Sequence, residues 1–369
     1  MDERVRATYR IWSDDVAAVA EAIRIEQTIE FPFDLAEKWI QDEVVGWIES
    51  VTDSAQGHSD VEISYDVRTV GGELPQLMNV LWGNSSMLPG VRLIDVVLPP
   101  SLLALFKGPR FGIEGLRKML NAEGRALVGT ALKPMGSSPS QLAKMAYTIA
   151  SAGFDTIKDD HSLANQPWAL WHNRVDAIAT AVKDANEKFG TQCLYAPSLH
   201  LPADEVLDAA REAKRLGATA LMVLPGIAGF DAMRMVAEAD DIALPMMGHP
   251  SLLGSFVTPQ QHGLAHHVVF GTLMRVAGAD ISIFPNFGGR FSFTPEECLK
   301  ITETARKPMA EMKPIWVSPA GGMTLDRISG MLNFYGADTA SLVGGALHRG
   351  DLEENSRALA ASIHQHSFA

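Results

Sequence analysis

The sequence predicts an α/β protein: a small N-terminal α+β domain over residues 1–110, then a (β/α)8 TIM barrel over residues 111–369. Three observations carry this reading. From residue 125 onward, eight short apolar runs recur: RALVGTALKP, FDTIKDD, QCLYAPSL, ATALMVLP, ALPMMGHP, ISIFPN, PIWVSPA and TASLVGG. Continuous apolar runs mark parallel strands buried on both faces, whereas half-exposed strands alternate. Helical stretches separate most of these runs, and many end in a glycine just before the next strand, as a C-terminal cap would. Eight such units in about 230 residues suit one barrel, with a doubly wound open sheet as the competing arrangement.

Within residues 1–110, RVRATYRIW alternates as a strand does and DDVAAVAEAIRIEQ has helical spacing. VEISYDVRTV, LMNVLWGN and VRLIDVVLP are predicted as further strands. Strand and helix without regular alternation indicate an α+β unit. LPPSLLALFKGPRFG, followed by the helical EGLRKMLNA, reads as the connector into the barrel. The barrel helices include SPSQLAKMAYTIASAG, DEVLDAAREAKRLG, FDAMRMVAEA, GLAHHVVFGTLMRVAG and DRISGMLNFYG, and LEENSRALAASIHQHSFA closes the chain as a helix.

Composition narrows the function classes. The chain has 369 residues, 47% hydrophobic and 20% charged, with a net charge of −13 and a pI near 5.3. Bulk charge of that sign argues against nucleic-acid and anionic-membrane partners, while leaving room for a locally positive site. Cys193 and Cys298 lie far apart in apolar sequence and are expected to be buried free thiols. The charged start MDERVRATYRIW lacks a signal-peptide core, and no run reaches a membrane-spanning length. The expected location is cytoplasmic.

Barrel active sites form at the C-terminal ends of the strands. There the sequence places Lys133, Lys158, Asp159, Asp160, His161, Ser198, His200, His249, Asn286 and Ser318. Clustered carboxylates in IKDDHS suit a hard cation such as Mg2+, with a structural salt bridge as the plainer alternative. Two lysines on adjacent strands repel one another, which favours a neutral amine able to act as a base or react with CO2. Gly321-Gly322 and Gly344-Gly345, after the last two strands, fit a phosphate site or simple turns. His262, His266 and His267 are expected to be surface or packing residues, and Trp168 and Trp171 to pack against the barrel.

Two stretches resemble RuBisCO and the RuBisCO-like proteins: ALKPMGSSPSQLAKMAYTIASAGFDTIKDDHSLANQPWALWHNRV and LPPSLLALFKGPRFGIEGLRKMLN. The resemblance implies an N-terminal α+β domain, a barrel, and a homodimer whose sites the partner's N-terminal domain completes. By that match Lys158 is the lysine carbamylated by CO2, and Asp160 is a Mg2+ ligand. His161 stands where the family has glutamate as the third ligand. Lys133 matches the lysine near the reacting carbonyl, His249 a histidine beside substrate hydroxyls, and Glu26 and Asn84 the residues given to the partner. Gly321, Gly322, Gly344 and Gly345 would bind phosphate, with Arg290 and Ser318 as further substrate contacts.

Departures from the carboxylase pattern fall on CO2 handling and on one phosphate site. Met135 replaces a second lysine, Pro250 an arginine, Ile283 a histidine and Ala320 a serine, and Arg290 is the one basic residue in FPNFGGRFSF. The implied activity is enolisation of a phosphorylated ketose through a metal-bound enediolate without CO2 fixation. Isomerisation of 5-methylthioribulose 1-phosphate in methionine salvage leads. Decarboxylation or hydrolysis of 3-oxo-isoapionate 4-phosphate, enolisation of a diketo sugar phosphate, and an inactive sugar-phosphate-binding or regulatory protein are the alternatives.

Overall fold

The structure, a computed structural model, describes residues 3–321 and 325–368. Among the described residues, thirteen strands follow in chain order. β1 (Arg4–Ile11), β2 (Trp47–Ser54), β3 (His58–Asp66) and β4 (Val91–Val97) lie in the N-terminal region, and β5 (Leu127–Leu132), β6 (Thr156–Asp159), β7 (Leu194–Ala196), β8 (Leu221–Val223) and β9 (Met246–Gly248) follow. β10 (Gly263–Leu264), β11 (Ile281–Pro285), β12 (Trp316–Ala320) and β13 (Ala340–Val343) complete the set.

All eight apolar runs are the strands of one parallel sheet, ordered β7-β6-β5-β13-β12-β11-β9-β8. The ends meet where Met222 N–H donates to Pro197 O at 3.0 Å and Leu199 N–H to Met222 O at 2.8 Å, closing the barrel. Nearly every residue of these strands is buried, which is why they read as unbroken apolar runs.

The N-terminal sheet has the order β10-β4-β1-β3-β2. Three differences from expectation appear here. LMNVLWGN is not a strand: Leu74–Trp82 is a helix with a proline in its first turn, burying Leu74, Leu77, Val80 and Leu81 along one face. β2 carries no buried face, so WIESVTDS gives no alternation signal and is recruited by pairing with β3. GLAHHVVFGTLMRVAG starts not as helix but as β10, which pairs in parallel with β4, then turns through the π-helical Val268–Leu273.

That pairing brings a strand from the barrel half of the sequence into the N-terminal sheet. Arg92 on β4 donates to Gln260 O at 3.2 Å and Val257 O at 3.1 Å, and His267 Nε2 lies 3.5 Å from an Asp95 oxygen. His266 and His267 are therefore buried packing residues, and both cysteines are buried and free. Among the described residues, no helix is long and apolar enough to cross a membrane.

The connector is fixed to the barrel by Asp280, a fully buried residue just before β11. Its carboxylate accepts from Phe111 N–H and Gly112 N–H, both at 2.7 Å, and from Met246 N–H at 2.9 Å. Burial pushes its pKa up to about 6, against the pull of these three donors. Asp280→Ala leaves three buried N–H groups without an acceptor, and is expected to lower unfolding free energy by about 3–5 kcal/mol in urea titration.

Candidate active site

Alternation along an extended backbone sorts the charges of IKDDHS. Residues two apart share a face, so Lys158 and Asp160 point one way and Asp159 the other. Asp159 is fully buried and accepts from Arg174 Nε at 3.2 Å, Tyr195 Oη at 3.0 Å and Ser198 N–H at 3.1 Å. Arg174 also donates to Ala164 O at 2.6 Å and Ala169 O at 3.0 Å, which fixes the loop after β6. Asp159 is thus a structural anchor.

Lys158 is 2% exposed and its Nζ donates to Asp159 O at 3.0 Å. Burial, aided by the charge of Lys133 and opposed by Asp160 and Asp159, lowers its pKa to about 8. Asp160 sits between cationic and imidazole neighbours. Lys133 Nζ is 2.8 Å from Oδ2, His161 Nδ1 is 3.1 Å from Oδ1, and Ser162 Oγ donates to Oδ1 at 2.9 Å. Burial would raise the Asp160 carboxyl, but His161 and Lys133 hold it well below the usual carboxylate range.

The His161 ring stacks on His249 at a centroid distance of 5.1 Å and an interplanar angle of 13°. His249 Nδ1 accepts from Ser251 N–H at 3.2 Å, which assigns the proton of its neutral ring to Nε2. Loss of hydration, with Lys158 and His161 nearby, holds this imidazole well below its ordinary pKa. β5, β6 and β9 thereby bring Lys133, Lys158, Asp160, His161 and His249 to one rim.

The remaining residues divide. A Cβ on Gly344 would sit 3.8 Å from Lys133 Nζ, so the end of β13 borders the same space, and Gly345 is open. Gly321 has φ +85° and lies under Phe291 of the loop after β11; Gly322 lies outside the described residues. Arg290 on that loop is exposed, with its guanidinium 5.1 Å from the Phe291 ring centre. The Ser318 hydroxyl is turned into the barrel wall, donating to Ala340 O at 2.8 Å. Asn84 Nδ2 donates to Glu26 Oε2 at 3.1 Å across 58 positions of sequence, and among the described residues neither side chain hydrogen-bonds a rim residue.

Some contributors had no sequence signal. Arg174 and Tyr195 serve Asp159 through tertiary contact alone. Trp171 does pack, donating from Nε1 to Ser198 O at 2.9 Å, whereas Trp168 is 48% exposed on the rim loop.

Among the described residues, no three carboxylate, imidazole or thiolate groups converge as a metal cage. Asp160 and His161 supply a carboxylate and an imidazole, and Lys158 on the face of Asp160 supplies a third donor only as a carbamate. With that modification, the three residues fit a divalent cation. The buried amine also has a cost: its depressed pKa means the native state holds fewer protons between pH 8 and 10.5, so stability rises with pH across that window. Lys158→Met is expected to be more stable than the parent by about 2–3 kcal/mol at pH 7, the gain fading by pH 10.5 in chemical denaturation.

The chain is similar to known proteins over most of its length. Residues 112–286 match the family model for the ribulose bisphosphate carboxylase large chain, catalytic domain. Ribulose bisphosphate carboxylase-like protein 1 of Rhodopseudomonas palustris is 40% identical over 350 residues, spanning 94% of this chain and 93% of that protein. The 5-methylthioribulose-1-phosphate isomerase of Rhodospirillum rubrum is 37% identical over 370 residues, 98% of this chain and 97% of the relative. The crystal structure of a Rubisco-like protein from Rhodopseudomonas palustris superimposes with a TM-score of 0.91 at 34% identity, covering 100% of both chains. A lysine-rich rim at the ends of β5 and β6, on a barrel carrying this N-terminal sheet, thus sits in a chain that belongs to the RuBisCO-like proteins of the ribulose bisphosphate carboxylase large-chain family.

Proposed function

We propose that this chain enolises a phosphorylated ketose and returns the proton to the neighbouring carbon, as a 5-methylthioribulose-1-phosphate isomerase. The observation that carries the reading is the Lys133–Asp160–Lys158 cluster at the barrel mouth, in a chain similar over nearly its full length to a relative bearing that name. Relatives named 2,3-diketo-5-methylthiopentyl-1-phosphate enolase, such as that of Bacillus pumilus at 31% identity over 79% of this chain, favour a second reading in which the enol is itself the product.

Lys158 is an amine with a pKa of about 8, so near neutral pH a usable fraction is uncharged and able to attack CO2. The N–C bond forms, one proton leaves, and an anionic carbamate replaces a potential cation. Carbamylated Lys158, Asp160 and His161 would then hold Mg2+ or a related ion, which when bound supplies polarisation of the ketone. Lys133, in its neutral form, is the base for the α-proton. His249 presents Nε2–H to a substrate hydroxyl, its ring set by Ser251. Protonation at the adjacent carbon completes isomerisation with no group lost or gained. Gly344, Gly345 and Gly321 are read as the phosphate end of the mouth and Arg290 as a secondary contact, whereas the Ser318 hydroxyl is already spent on Ala340 O. The exposed Glu26–Asn84 pair is read as the contribution of one subunit to its partner's site in a homodimer.

With bicarbonate and Mg2+ in D2O, 5-methylthioribulose 1-phosphate should gain deuterium at the exchanging carbon, followed by NMR; an absence of exchange with the parent protein would sink the reading. Lys133→Met should slow exchange by about 10²-fold or more. His161→Glu should tighten Mg2+ binding roughly tenfold relative to Mn2+ in calorimetric titration, because it restores a hard oxygen donor. Unchanged affinities would remove His161 from the ligand set.

A further inference from the structure

The hydroxyl of Ser198, just past β7, takes no part in the steps above. Ser198 is fully buried, and among the described residues its Oγ has no hydrogen-bond partner. Its backbone is nevertheless held from two sides. The N–H donates to Asp159 Oδ2 at 3.1 Å, and the carbonyl accepts from Trp171 Nε1 at 2.9 Å. A buried hydroxyl left bare in a fixed frame is costly, and in native proteins such groups are met by water or by another bound group.

The strands fix where this side chain points. One core cluster gathers alternate residues of β5, β7, β8, β9, β11, β12 and β13, and so fills the barrel interior; Leu194, Ala196 and Met222 belong to it. Tyr195 and Leu199 pack in the outer layer instead. Ser198 is in step with Ala196 and bridged in parallel to Met222, so it faces the interior. Lys158 faces the interior as well, as the register partner of Ala196. Its Nζ donates to Asp159 O at 3.0 Å, while Ser198 N–H donates to the carboxylate of the same aspartate. The amine and the bare hydroxyl thus lie on neighbouring strands around one shared residue, without a hydrogen bond between them. Lys158 is itself only 2% exposed. A hydroxyl closed to solvent therefore suits a partner carried by that lysine, not one arriving from outside.

We propose that Ser198 is a positioning residue for the carbamate of Lys158, donating from Oγ–H to a carbamate oxygen from the β7 side. This rests on the carbamate reading given above. The modification forms one N–C bond between the neutral amine and CO2 and releases one proton, which lengthens the side chain by a carboxylate group. A hydroxyl donor beside an anionic oxygen makes a charge-assisted hydrogen bond, and the bare Oγ–H gains the partner it lacks.

The test supplies the full-length protein with isotopically labelled bicarbonate and Mg2+ and follows the carbamate carbon by NMR. The parent, Ser198→Ala and Ser198→Thr are compared, and Lys158→Met identifies the signal by losing it. Removing one hydrogen bond to a charged group should raise the bicarbonate concentration for half occupancy about tenfold in Ser198→Ala. Ser198→Thr, which keeps a hydroxyl, should recover much of the loss. Without CO2, Ser198→Ala should melt no lower than the parent, because the hydroxyl it removes has no partner in that state. A merely structural hydroxyl gives the reverse pattern, so a Ser198→Ala protein that melts well below the parent without CO2 overturns the proposal. Equal half occupancy in the parent and Ser198→Ala overturns it too, and leaves an enclosed water as the partner of Oγ. A parent with no Lys158-dependent signal at saturating bicarbonate overturns it together with the carbamate reading. Occupancy that depends on Ser198, in a parent that exchanges no ketose proton, would reject enolisation while leaving this assignment standing.

Discussion

Everything at the mouth depends on the burial of Asp159 against Arg174, Tyr195 and the Ser198 backbone. Two adjacent aspartates on a barrel strand cannot both face the ligand, since an extended backbone sends them to opposite sides. By taking the acid that faces the helix layer into a closed network, the fold frees its neighbours to be spent on chemistry. The guanidinium satisfies the carboxylate and two loop carbonyls together, which fixes β6 and the loop leaving it as one unit. A buried ion pair of this kind adds little net stability. What it contributes here is the facing of Lys158 and Asp160.

The two lysines divide the remaining electrostatic work. Lys133, partly exposed, lies in an ion pair with Asp160, whereas Lys158 is enclosed and its pKa falls toward 8. An amine that is easily neutralised beside a carboxylate that is easily ionised is an arrangement prepared for an added cation, because the repulsive partner can be converted to an attractive one. The same enclosure that makes Lys158 reactive makes it a liability to stability, a frequent trade at active sites.

Much of this was legible in the residues, and the exceptions have physical causes. All eight barrel strands could be read because burial on both faces turns each into an apolar run bounded by turns. The rim lysines and Asp160 followed from strand ends. LMNVLWGN failed because a short apolar segment fits either period, and its proline one turn upstream was the cue for a helix. β2 failed because it is polar and exposed, owing its existence to a neighbour. Arg174 and Tyr195 were invisible because nothing local marks them: each acts on Asp159 from a different element. Ser318 shows the reverse case, a polar residue at the right place in sequence whose hydroxyl is consumed by a carbonyl across the ladder.

The parallel pairing of β10 with β4 has a consequence for how the chain is made. Arg92 on β4 reaches the Leu264 carbonyl across 172 positions of sequence. During synthesis the N-terminal sheet therefore leaves the ribosome with β4 as an open edge, and about half the barrel must follow before that edge is covered. An uncovered edge invites pairing with other chains. Vectorial production thus places a premium on prompt completion of the barrel segment, and an excised N-terminal fragment would carry a seam that the intact molecule seals with a strand from its own later sequence.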